Sequence, residues 1–263
     1  MQKNENSLQQ RIQNQPESFS STIITIPVVV HVVYYNSTEN ISTAQVQSQI
    51  DVLNEDFRRL NADAVNTPSG FQSVAADCEI EFCLATTDPN GNTTIGITRT
   101  STSKTGWDYD TESNDMKQAS SGGIDNWDPL RYLNIWVCNI ISSGSGQTLG
   151  YAYLPGLQGS SQSWKDGLVV DYKWFGTIGN ASSSSDGRTT THEIGHYLGL
   201  SHTFCESGGC CDNDDNNDND DNDNDNDDNN DNNNNNDNHH NDDNNNSNNN
   251  NNDNNNDNNN NDN

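Results

Sequence analysis

Basic residues are scarce in this chain: 11 Lys and Arg stand against 39 Asp and Glu, a formal net charge of −28 at pH 7. A surface so acidic repels phosphate backbones and anionic lipid, which argues against nucleic acid and membranes as partners. Long apolar runs are missing too. The longest, residues 23–35, is interrupted by Pro27 and His31; it is too short to cross a bilayer about 30 Å thick and suits a buried strand. The first 21 residues lack the apolar stretch and cleavage site of a secretory signal, so any export is expected to be encoded elsewhere or upstream of Met1. From Asp212 to Asn263 there is no aliphatic, aromatic, Gly or Pro residue, only 32 Asn, 17 Asp, His239, His240 and Ser247. Such a tract buries nothing to offset the entropy of ordering, and disorder is expected there.

What remains fits one globular domain over 22–211, preceded by a polar segment (1–21) and followed by the low-complexity tail (212–263). The run 23–35 reads as a central strand, with His31 a hydrogen-bonded core histidine. Residues 42–61 show apolar positions Val46, Ile50, Leu53, Phe57 and Leu60 at helical spacing behind a Ser42/Gln45 capping pattern. Their charges, Asp56 and Arg58 included, read as a solvated face. Residues 78–85 alternate as a strand, 88–91 as a turn and 94–100 as the second strand of that pair. Residues 101–131 read as a long surface loop, 132–140 as a further strand, 166–177 as a strand followed by a turn, and 142–163 as loop-rich. Six cysteines (Cys78, Cys83, Cys138, Cys205, Cys210, Cys211) favour disulfides in an exported protein, with free buried thiols the alternative for Cys83 and Cys138.

The chemistry concentrates at 188–202, "RTTTHEIGHYLGLSH". His192 and His196, four apart on a helix, share one face and can reach one ion. Glu193 lies about 100° further round the helix, where a base acting on a metal-held water belongs. Were the helix to continue, His202 would face elsewhere. Gly199 offers the left-handed turn that brings it back. Glu206 is the only later Glu, and no ordered context surrounds any tail Asp, so three histidines are the expected ligands. They leave a fourth position open, the mark of a catalytic zinc site.

At these residues the chain resembles the metzincin zinc endopeptidases, and among them the pappalysin family, with its ulilysin- and cytophagalysin-type enzymes. The segments "IPVVVHVVYY", "QIDVLNEDFRRLN", "YLNIWVCN", "LGYAYLPG" and "DGLVVDYKWFGT" resemble pieces of that catalytic domain in its order. The resemblance implies an α+β fold: a twisted, mixed, mostly parallel five-stranded sheet with a backing helix (42–61) and an active-site helix (188–199). It implies an edge strand near Gly167–Tyr172 that aligns substrate. His192, His196 and His202 would hold one catalytic zinc, and Glu193 would serve as general base and acid in hydrolysing a protein or peptide substrate outside the cell. No methionine follows His202, so the methionine-bearing turn and lower subdomain of that family are expected to be missing. The family's nearby calcium would have only "CCDNDD" (210–215) to bind.

Two other functions are compatible with the residues. One is a truncated or frame-altered product that binds zinc without hydrolysis. The other is an acidic surface module whose tail gathers calcium, although that tail lacks the glycines of a calcium loop. Cleavage specificity and oligomeric state have no signature in the sequence.

Overall fold

The computed structural model describes residues 22–142, 144 and 146–202. Every described residue falls within one compact unit of the chain. The expectations for 1–21, for the tail, for Cys205, Cys210 and Cys211 and for calcium at 210–215 lie outside the described residues.

In chain order the described strands are β1 (Ile24–Tyr34), β2 (Ile80–Leu84), β3 (Ile97–Ser101), β4 (Trp107–Asp108), β5 (Leu133–Cys138), β6 (Ile140–Ile141), β7 (Gly150–Ala152) and β8 (Leu168–Asp171). The α-helices are α1 (Thr43–Phe57), α2 (Tyr109–Glu112) and α3 (Arg188–Tyr197). The β-branched run of β1 makes the spine of the sheet, with β5 parallel along one side. On its other side Ile24–Val28 pair with β2 and Val30–Tyr34 pair with β3, both parallel. The sheet then continues through β8, parallel to β5, to β7, antiparallel to β8.

The sheet therefore has six strands in five positions, because β2 and β3 lie end to end along one edge of β1. They do not form the pair expected from the sequence. The turn at 88–91 exists, with Gly91 N–H donating to Asp88 O and Thr87 bridging Thr93, but the excursion returns the chain to the same edge.

One face of the sheet (Val28, Val30, Val32, Ile135, Val137, Leu168, Val170) packs against Val46, Ile50, Leu53 and Phe57 of α1 and Ile194 of α3. The other face is also covered. Val33, Trp136, Cys138 and Val169 pack against Trp107, Tyr109, Met116 and Ile140. Residues 101–131 are thus a second core layer and no surface loop. With both faces buried, the strands read as continuous apolar runs.

α1 begins where its cap predicts, the Ser42 hydroxyl accepting from Gln45 N–H. The reciprocal half of the capping box is absent. The buried Gln45 side chain instead donates to Tyr172 O and Phe175 O and accepts from Asn180 N–H, fastening the loop after β8. The helix stops at Phe57. Arg59 takes φ +52°, and Leu60, expected on the apolar face, is 71% exposed. His31 is buried between Thr98 Oγ1 (2.8 Å) and Asn134 Oδ1 (3.1 Å), the satisfied core histidine expected of it. Cys78, Cys83 and Cys138 are free thiols, the first two exposed and the third buried. The disulfide expectation does not hold for these three.

Candidate metal centre

α3 is held to α1 at its start. The Arg188 guanidinium forks onto Asp63 with two contacts of 2.6 Å and reaches Asp56, whose other carboxylate oxygen accepts from Thr191 Oγ1. These bonds hold the Asp63 carboxyl well below its usual range and push the guanidinium up. Gln49 of α1 adds a buried link, donating to Gly187 O and accepting from Gly176 N–H. Asp56, read from the sequence as part of a solvated face, is therefore a contact of the metal-site helix. At the far end Tyr197 donates its hydroxyl to the buried Asp166, 2.9 Å.

The helix ends as a Schellman motif: Leu200 N–H donates to Gly195 O (2.9 Å) and Gly199 N–H to His196 O (2.8 Å). Gly199 supplies the left-handed residue, φ +93°. The reversal expected there is present, two residues beyond the last helical position.

It brings His202 back to the helix. The Nε2 atoms of His192, His196 and His202 form a nearly equilateral triangle, 3.0, 3.1 and 3.0 Å on a side. His196 Nδ1 is 2.7 Å from Leu200 O. A carbonyl only accepts, so that nitrogen carries the proton and His196 Nε2 is left with a bare lone pair. A tetrahedral ion with zinc–nitrogen bonds of about 2.0–2.1 Å sets its ligands about 3.3 Å apart. The triangle fits that ion, with the His196 lone pair available to it. The donor set, three imidazoles with no thiolate, suits zinc with a position left open. The Leu200 carbonyl that holds the His196 ring was not legible in the sequence; it follows from the Schellman turn.

Glu193 is 7% exposed and faces away from solvent alongside Thr190 and Ile194, whereas His192 is exposed. β7 runs beside it, since the Glu193 stem packs against Gly150. The strand expected at the sheet edge, 167–172, proves interior: β8 is fully buried and paired with β5 and β7. Among the described residues β7 ends the sheet. Its three residues sit inside a stretch whose Gly and Ser content masks any alternation.

Known proteins resemble this arrangement. A family profile described as pregnancy-associated plasma protein-A, peptidase family M43, matches residues 114–262. An extracellular metalloprotease of Arthroderma gypseum is 30% identical over 214 residues, 80% of this chain and 59% of the relative. One from Pyricularia oryzae is 31% identical over 197 residues, covering 73% and 54%. The chain thus spans under two thirds of the length of these relatives. Among solved structures, mature mirolysin of Tannerella forsythia in complex with a cleaved peptide superposes with a TM-score of 0.66 at 53% identity, covering 73% of this chain and 68% of that one. A promirolysin mutant from the same organism gives 0.67 at 50% identity, with 76% and 63% covered. With the family profile matching more than half of its residues and a metzincin fold shared with mirolysin, this chain belongs to the pappalysin family of metallopeptidases, peptidase family M43.

Proposed function

We propose that the chain is a zinc-dependent endopeptidase that acts on protein or peptide substrates outside the cell. The observation that supports it best is the triangle of imidazole nitrogens on α3 and its returning turn, with the buried Glu193 next to it and a sheet edge alongside. The catalytic domain carrying this site is assigned to residues 22–211.

His192, His196 and His202 would hold the metal. Bound there, zinc supplies Lewis acidity, making water acidic near neutral pH and polarising a carbonyl. An extended peptide adds to the outer edge of β7 through main-chain hydrogen bonds, which lays its backbone across the start of the histidine face. Glu193 then accepts a proton from the water that attacks the scissile carbonyl carbon. As the C–N bond breaks, the same carboxyl returns that proton to the departing amine nitrogen. Burial of its stem keeps the carboxylate from wandering into solvent.

The test is metal analysis and hydrolysis of an unstructured protein such as casein by the full chain. Zinc near one per chain and hydrolysis lost in Glu193→Ala, by about 10²–10⁴-fold, is expected. Hydrolysis that survives Glu193→Ala refutes the assignment. Stoichiometric zinc with no hydrolysis by the unsubstituted chain would favour a metal-binding fragment.

A further inference from the structure

β7 reads Gly150-Tyr151-Ala152, and its side chains alternate between the two faces of the sheet. Tyr151 packs into the cluster of Trp107 and Met116, while Ala152 packs against the cluster that contains Ile194 of α3. Position 150 shares the α3 side with Ala152. A Cβ placed on Gly150 would stand 3.2 Å from Glu193 Cγ, 3.2 Å from Thr189 Cγ2 and 3.1 Å from Val169 O. Unstrained carbon–carbon contacts fall at about 3.5–4.0 Å. Gly150 has no positive φ, so its backbone conformation does not require glycine. Space does. The missing methyl is the gap into which two consecutive turns of α3, at Thr189 and Glu193, settle against the strand.

We propose that Gly150 is a positioning residue that seats the Glu193 side chain: the bare backbone of β7 forms the wall against which the Glu193 methylenes rest. The proposal deepens the reading of Glu193 as the base and rests on it. Its structural content is narrower. A methyl at 150 must push Thr189, Glu193 or both by a few tenths of an ångström, because the third neighbour is a backbone carbonyl in the β8 ladder. Of the two side chains, Glu193 carries the proton, and a displacement of that size at a reacting group is enough to slow turnover.

A four-protein cycle on the full chain tests this: unsubstituted, Gly150→Ala, Glu193→Ala and the double variant, each melted in chelator so that metal binding does not enter. Alanine at 150 should lower Tm by about 3–6 °C when Glu193 is present. In the Glu193→Ala background, where Cγ is gone, it should lower Tm by less than half as much. Any entropic gain from replacing glycine is common to both backgrounds and cancels. In the zinc-loaded chain Gly150→Ala should reduce kcat about tenfold with KM within about twofold. Adding Thr189→Ser, which removes Cγ2, should restore part of that loss. Equal Tm losses in the two backgrounds, or an undiminished kcat in Gly150→Ala, overturns the proposal. If the unsubstituted chain hydrolyses nothing, the endopeptidase assignment fails, and the Tm cycle still decides whether Gly150 seats Glu193.

Discussion

A single buried imidazole makes this fold sensitive to acid. His31 lies in the middle of β1 beneath Trp136 and Trp127, and burial lowers its pKa from 6.5 to about 4. In the unfolded chain the same ring protonates near pH 6.5, so between those values the unfolded state binds the extra proton. Stability is fully present above pH 6.5 and falls as pH drops towards 4, by about 3 kcal/mol for this group alone. Urea titrations at pH 7.5 and pH 4.5 should show that loss in the native sequence. His31→Phe, which refills the ring space, should show a pH dependence shallower by about the same amount. Equal slopes in the two proteins would mean that some other group carries the effect. The three site histidines are common to both proteins, which is why the difference isolates His31.

At the scale of elements, the turn after α3 gathers three histidines into a candidate metal site. Gly199 sits at φ +93°, where an L side chain costs about 1–2 kcal/mol. Gly199→Ala should therefore strain the reversal that carries His202 back and the Leu200 carbonyl that orients His196. Zinc affinity measured against a competing chelator should fall at least about tenfold, while the far-ultraviolet circular dichroism of the apoprotein stays native. Unchanged affinity would show that the turn tolerates a side chain and that glycine there has another cause. This turn was legible in the sequence, as were the convergence of the three histidines, the Ser42 cap and the β1 spine, because each is written in residues a few positions apart. What was hidden is tertiary. Nothing local says that β2 and β3 share one edge of β1, or that Gln45 leaves its own helix to bind the loop after β8. Arg59 takes a left-handed conformation with no glycine to announce it, which is why Leu60 leaves the helix face. The three residues of β7 are too few to show a period of two, so the sheet edge was assigned to its buried neighbour.

For the whole molecule, the decisive feature is that both faces of the sheet are packed. α1 and α3 cover one, and the layer built from residues 101–131 covers the other, with Trp107 1% exposed at its centre. The strands that carry α3 on one side rest on Trp107, Met116 and Tyr109 on the other, so the candidate metal site is supported through the thickness of the sheet. Trp107→Ala empties the largest part of that second core and should cost about 3–5 kcal/mol, a large share of the roughly 5–15 kcal/mol that stabilises a domain. The urea midpoint should drop accordingly with little change in the dependence on denaturant. Phe71, 63% exposed in the loop after α1, is the matched control; Phe71→Ala should change stability by no more than about 0.5 kcal/mol. If Trp107→Ala were as harmless as Phe71→Ala, residues 101–131 would be a surface loop after all, and α3 would owe its placement to α1 and to its own face of the sheet.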